Sequence, residues 1–250
     1  YRSLMNSRVI LVSDDRSSLR SPDTLLWPDA ACMRGIHTGE WTAHIFEYAM
    51  SFEGNMTQVR ELAAANGVGV LHPHGALATD PPSLIVCDVD STVTRTEAID
   101  LLAECAGNAD EVREITARAM VGELDFTQSL YARVRCLEGL HIGALEEAWK
   151  ATVITPGTAE LVAAAHDVGA AVGLVSGGFT AIVDPLAEQI RADFAASNEL
   201  EIVDNHLTGR VVGDIIDRAA KATWLRRWAS ERGVALERTI ALGDGANDLD

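Results

Sequence analysis

Four apolar residues in a row, Leu84-Ile85-Val86-Cys87, follow Pro81-Pro82-Ser83 and run straight into Asp88. A short unbroken run bounded in this way predicts a strand buried on both faces of a parallel sheet. The pattern returns twice: residues 170–175 run into Ser176-Gly177-Gly178, and residues 239–242 into Gly243-Asp244-Gly245. After the first strand the period turns helical. Ile99, Leu102, Ala103 and Ala106 share one face, ended by Gly107, and Val112, Ile115 and Ala119 share another, ended near Gly122. Asp125, with Gln128 three residues on, has capping-box form and opens a helix carrying Phe126, Leu130, Val134 and Leu137. Residues 158–168, 179–190 and 219–232 read as further helices, with Pro185 marking a kink or break in the second. Residues 199–203 and 207–212 read as a small hairpin. The prediction is an α/β fold, a doubly wound parallel sheet. A helical cap, about residues 96–150, is inserted above the carboxyl end of the first core strand.

Residues 1–80 have a different rhythm. Residues 8–12 read as a strand, 13–40 as a polar, turn-rich stretch without a period, and 41–52 as an alternating strand. Helical spacing at Met56, Val59, Leu62 and Ala63 precedes a short apolar strand at 68–71. This predicts a small α+β module, closed by His72-Pro73-His74-Gly75 and separated from residues 81–250 at Asp80-Pro81-Pro82-Ser83. Its strand-helix-strand order is similar to half of a small-molecule-binding regulatory domain of the ACT type. His72 and His74 have metal-binding side chains, but a solvated linker accounts for them better.

Composition narrows the class. A chain of 250 residues, 48% of them hydrophobic, holds ample apolar material for a core, and a formal net charge of -17 argues against a nucleic-acid surface. Cys32, Cys87, Cys105 and Cys136 show no paired metal-ligand spacing and read as free thiols of a reducing compartment. No apolar run approaches the roughly 18 residues of a membrane span, and the start lacks a signal-peptide pattern. These features predict a cytoplasmic address and no membrane partner. Both ends look cut, since the first residue is Tyr1 and the last, Asp250, closes an acidic cluster.

Asp88 and Asp90 lie two residues apart at a strand end, so a strand's pleat would point both to one side, where like charges repel. A divalent cation with oxygen ligands would compensate them; polar caps for the next turn would also account for the pair. In a parallel sheet this end converges with Ser176-Gly177-Gly178 and with Asp244, Asn247 and Asp248. Each cluster alone is an ordinary loop signal. Together with Lys221 near a helix start they fit phosphoryl transfer: a carboxylate nucleophile, a hydroxyl and backbone N–H groups for phosphate oxygens, and a cation for the transition state.

In that order, Asp88-Val89-Asp90-Ser91-Thr92, Ser176-Gly177-Gly178-Phe179, Lys221 and Gly243-Asp244-Gly245-Ala246-Asn247-Asp248 resemble the four motifs of the haloacid dehalogenase-like superfamily. Glu97 to Asp100, residues 118–133 and residues 195–209 with Asn198 further resemble its phosphoserine phosphatase branch, over about residues 83–250. The resemblance implies Mg²⁺-dependent hydrolysis of O-phosphoserine through an aspartyl-phosphate. Asp88 is then the nucleophile, Asp90 the general acid and base, and Asp88, the Asp90 carbonyl and Asp244 the metal ligands, supported by Asp248. Ser176, Gly177 and Lys221 would hold the phosphoryl group, with Asn247 beside it. Glu97 would take the substrate ammonium, Arg133 its carboxylate, and Met120 and Phe126 would close over it. The implied partner is a small molecule, and a homo-oligomer is left open. Seen without the resemblance, Arg133 on an apolar helix face would snorkel to solvent, and Glu97 would be a first-turn acid favouring the helix dipole. Other readings are a phosphatase or phosphotransferase for another small phosphomonoester, or a ligand-binding protein without turnover. A dehalogenase would have no use for Asp90. Relatives of this type continue some tens of residues beyond the last acidic motif, so the chain is expected to be C-terminally truncated.

Overall fold

The computed structural model describes residues 8–13, 31–38, 41–47 and 56–245, and the chain divides into two units, Tyr1–Asp80 and Pro81–Asp250. The first unit is an antiparallel sheet of order β2-β3-β1-β4, with β1 at Arg8–Ser13, β2 at Ala31–Thr38, β3 at Trp41–Glu47 and β4 at Gly69–Leu71. Helix α1, Met56–Ala65, joins β3 to β4, and Leu11, Ala63 and Val68 are buried. Strand β2 falls in the stretch whose sequence shows no period. Against β3 its register slips between Cys32 and Arg34, and an extra residue of this kind erases the alternation by which a strand is recognised. The alternating stretch after it is a strand only as far as Glu47 among the described residues.

In the second unit, β5 (Leu84–Cys87) lies between two parallel neighbours, β6 (Ala171–Phe179) and β9 (Thr239–Leu242). Strand β7 (Phe194–Val203) runs parallel to β6 over its first half and forms an antiparallel hairpin with β8 (His206–Val212) over its second, giving the order β8-β7-β6-β5-β9. The mostly parallel sheet has helices on both faces. Ile85 and Cys87 pack with Val162 of α6 (Thr158–Asp167) and Leu186 of α7 (Thr180–Ile190). Leu84 and Val86, alternating with them, pack with Trp228 of α8 (Arg218–Glu231). Burial on both faces is why the strand reads as a continuous apolar run rather than an alternation. Helix α7 runs through Pro185 without ending there.

Between β5 and α6 the chain leaves the sheet and returns through two adjacent segments. Thr94 and Ile154 form an antiparallel bridge, flanked by Arg95 N–H donating to the Val153 carbonyl (2.7 Å) and Thr155 N–H to the Val93 carbonyl (2.9 Å). The excursion holds α2 (Ala98–Ala106), α3 (Ala109–Met120), α4 (Phe126–Arg135) and α5 (Gly143–Ala151). The capping box is present: Gln128 N–H donates to Asp125 Oδ1 (2.8 Å), and Asp125 N–H to Gln128 Oε1 (3.1 Å). Leu102, Val112, Leu130, Val134 and Leu137 bury together against Phe179, Leu200 and Leu207, so the cap's core is continuous with the base of α7 and the hairpin. Among the described residues no helix is long and apolar enough to cross a membrane.

Candidate active site

The carboxyl ends of β5, β6 and β9 open into a cavity of about 470 Å³, which α4 of the cap and the N-terminus of α8 also line. Strand β5 stops at Cys87, so Asp88 and Asp90 share the cavity for a reason other than the pleat. After Asp88 the chain makes a tight turn in which Ser91 takes a left-handed φ of 59°, and Thr94 N–H reaches back to the Val89 carbonyl (2.9 Å). A non-glycine residue in that region signals backbone held by its surroundings, and here it aims Asp90.

The two aspartates have opposite environments. Asp88 is 8% exposed; its Oδ1 accepts from Val89 N–H (2.8 Å), and its Oδ2 pairs with Lys221 Nζ at 2.8 Å. A cation at that distance favours the charged carboxylate. Asp90 Oδ1 accepts from Ala98 N–H at the start of α2 (3.0 Å), and Oδ2 from the Ser176 hydroxyl (3.2 Å). Burial nevertheless raises the Asp90 carboxyl above its ordinary range, against the opposing pull of those two hydrogen bonds and of Lys221 and Arg133. Asp88 is thus paired with a cation while Asp90 is inclined to hold a proton, an arrangement that suits a nucleophile beside a proton donor. Cys87, next door, is no competitor: burial first and the Asp88 charge second push its thiol up to about 12.

Strand β6 does not turn at Ser176-Gly177-Gly178 but runs through it to Phe179, with its register against β7 shifted between Val175 and Phe179. Ser176 is fully buried, and its hydroxyl accepts from Gly178 N–H (2.8 Å) while donating to Asp90, so it faces the aspartate rather than the open cavity. Gly177 and Gly178 form that wall. A Cβ on Gly177 would lie 2.8 Å from Phe126 Cζ, and one on Gly178 2.8 Å from Asp90 Oδ2, so a side chain at either position would force that neighbour to shift.

At the cap end, Glu97, Phe126 and Arg133 line the same cavity. Partial desolvation first, then the charges of Asp100 and Asp90, raise the Glu97 carboxyl, with Arg133 opposing. Burial lowers Arg133, while Glu97, Asp100 and Asp90 act to raise it. The helix-face argument that Arg133 would snorkel to solvent therefore fails: it is half-buried among acids. Met120, which the resemblance would close over the substrate, stands at the end of α3, 84% exposed and not among the lining residues, where the helix stops and the chain turns through Gly122. Asn247 and Asp248 lie outside the described residues.

Asp88 and Asp244 both line the cavity, and Thr92 Oγ1 donates to Asp244 Oδ1 (3.4 Å). Among the described residues no group of three metal-ligating side chains is assembled. Two carboxylates and a main-chain oxygen are nonetheless the donor chemistry of Mg²⁺, which keeps several waters and takes phosphate oxygens rather than a full protein cage. Sequence reasoning missed three cavity-lining residues before and at the start of α8, Ile216, Asp217 and Arg218. It also gave no role to Asn198, whose buried side chain joins Gly177 to Ile216. Asp217 caps α8 by accepting from Ala220 N–H (2.8 Å), a signal the sequence carries as an acid followed by a helical stretch.

Residues 85–250 match the model of the haloacid dehalogenase-like hydrolase family. The chain is 51% identical over 188 residues to a phosphoserine phosphatase of Streptomyces coelicolor, covering 75% of this chain and 46% of that protein. It is 49% identical over 166 residues to a phosphoserine phosphatase of Streptococcus thermophilus, covering 66% and 77%. It superposes on a haloacid dehalogenase family hydrolase of Salmonella enterica serovar Typhi with a TM-score of 0.85 at 25% identity, covering 98% of this chain and 85% of that one. The chain spans about half the length of the first of these relatives.

Proposed function

The chain belongs to the haloacid dehalogenase-like hydrolases, and from that premise we propose that it is a phosphomonoesterase that hydrolyses O-phosphoserine to serine and phosphate. The observation that carries the reading is the charge pattern along one cavity. At the sheet end stand Asp88 paired with Lys221 and the protonatable Asp90, and at the cap end stand Glu97 and Arg133. The first set suits a phosphoryl group, and the second the ammonium and carboxylate of an amino acid.

In this mechanism an Asp88 carboxylate oxygen attacks phosphorus, and the bond from phosphorus to the serine oxygen breaks. Asp90 gives its proton to that oxygen, leaving an aspartyl-phosphate on Asp88. Water then attacks phosphorus, Asp90 takes the proton from it, and the bond to Asp88 breaks to release phosphate. Lys221 and the Gly177 N–H hold the phosphoryl oxygens as charge develops on them. Asp88, the main-chain oxygen of Asp90 and Asp244, with Asp248 in support, would hold Mg²⁺, which when bound supplies positive charge that neutralises and orients the phosphoryl group. Asn247 would add a contact to the substrate. Residues 1–80 would form a separate small α+β module.

The test is phosphate release from a panel of phosphomonoesters with Mg²⁺ and in excess chelator. Phosphoserine should be the preferred substrate and chelator should abolish turnover. Equal rates on esters lacking the amine and carboxylate would refute the substrate assignment, and full activity in chelator would refute the metal.

A further inference from the structure

Asn198 is 1% exposed on β7, and neither of its side-chain groups faces the cavity's contents. Its Nδ2–H donates to the Gly177 carbonyl (2.8 Å), and its Oδ1 accepts from Ile216 N–H (2.9 Å). Each bond fixes one arm of the site. The Gly177 carbonyl belongs to the Gly177–Gly178 peptide, whose N–H donates to Ser176 Oγ (2.8 Å), and that hydroxyl in turn donates to Asp90 (3.2 Å). A peptide between two glycines is unusually free to rotate, and this one is held at both ends. On the other side, Ile216 precedes Asp217, the cap of α8. The Asp217 carbonyl accepts from Lys221 N–H (3.0 Å), and Lys221 Nζ meets Asp88.

We propose that Asn198 is a positioning residue that locks the Gly177–Gly178 peptide to the start of α8, and so sets the hydroxyl arm on Asp90 and the ammonium arm on Asp88 in one register. The inference rests on the phosphatase reading for its catalytic consequence, and on the two hydrogen bonds alone for its structural content. Removing Asn198 leaves the Gly177 carbonyl and the Ile216 N–H without their partner, and frees the peptide to turn its N–H from Ser176. The phosphoryl end of the cavity is affected while the cap end, with Glu97 and Arg133, is not.

The experiment compares Asn198→Ala and Asn198→Asp with wild type. The readouts are kcat/KM on phosphoserine and on nitrophenyl phosphate, affinity for inorganic phosphate by calorimetry, and melting temperature. Asn198→Ala should lose at least about tenfold in kcat/KM on both substrates by the same factor, since both use the phosphoryl end. It should also bind phosphate more weakly. Asn198→Asp supplies a readout that loss of packing would not move. Its ionised carboxylate accepts from Ile216 N–H but cannot donate to the Gly177 carbonyl, whereas its protonated form does both, and burial favours the protonated form. Its activity relative to wild type should therefore rise at least about threefold from pH 8 to pH 5.5, while the Asn198→Ala ratio stays flat. A flat ratio for Asn198→Asp, or an Asn198→Ala enzyme within twofold of wild type, overturns the proposal. If Asn198→Asp does not fold, the Asn198→Ala result decides. If the wild type hydrolyses nitrophenyl phosphate but not phosphoserine, the substrate reading fails and these comparisons still stand. If it hydrolyses neither, phosphate affinity decides: unchanged binding in Asn198→Ala overturns the lock.

Discussion

The Lys221 ammonium stands 2.8 Å from Asp88 Oδ2, with the two side chains only 12% and 9% exposed. Removing the ammonium leaves the nearly buried Asp88 carboxylate without this countercharge. We expect Lys221→Met to lower stability by about 3–5 kcal/mol and to reduce turnover by more than a hundredfold. Denaturant unfolding and steady-state kinetics check this. A variant as stable as wild type would show that the pair is solvated in solution.

Phe126 lies over Gly177 so closely that a Cβ there would sit 2.8 Å from its Cζ. Gly177→Ala should push the ring away and cost at least about tenfold in kcat/KM, or about 1.4 kcal/mol. Adding Phe126→Ala should recover part of that loss, because the clash needs both partners. Strictly additive losses would mean that the alanine disturbs the glycine backbone instead.

Arg133 and Glu97 decide the substrate in our reading, so their effects should depend on what the substrate carries. Losing one partner of a desolvated charge pair costs roughly 2–5 kcal/mol, more than tenfold in kcat/KM. Arg133→Ala should impair phosphoserine hydrolysis by that much and leave nitrophenyl phosphate nearly unchanged. If both substrates suffer alike, Arg133 serves the cap's fold rather than recognition.

The raised Glu97 carboxyl gives a pH dependence with a definite sign. The folded state holds this proton more readily than the unfolded chain. Glu97 therefore opposes folding increasingly as pH rises from its ordinary value through its raised one. Its charge for the ammonium is present only above the raised value. KM for phosphoserine should climb on acidification at a pH above the ordinary glutamate range, and Glu97→Gln should remove that limb. A limb shared with nitrophenyl phosphate would assign it to the phosphate or to another group.

Gly173 tests the core. A Cβ there would lie 2.7 Å from Trp228 Cζ3, and Trp228 is 3% exposed and stacked on Phe194 with ring centroids 5.3 Å apart. Gly173→Ala should cost about 1–3 kcal/mol by overpacking, read as a lower melting temperature. An unchanged melting temperature would show that α8 can shift away from the sheet.

The sequence by itself determined the elements whose signal is local. Leu84–Cys87 is apolar on both faces and Thr239–Leu242 ends in a glycine-flanked acid; Asp125 and Gln128 close a capping box within one turn. Pattern and capping depend on neighbours a few residues away, so one chain displays them in full. Tertiary structure decided the rest, because the forces responsible act between distant residues. Ala31–Thr38 is a strand only because β3 pairs with it across a bulge. Asp88 and Asp90 are chemically alike and two positions apart in the sequence; Lys221, 133 residues beyond Asp88, pairs with the first, and burial raises the carboxyl of the second. Met120 stands exposed at the end of α3, a placement that the helical face of Val112 and Ile115 does not announce. Asn198 stands out in the sequence only within the resemblance of residues 195–209 and without a role, since an asparagine's value here lies in its two ends, and what they bond to is set by how β6, β7 and α8 pack.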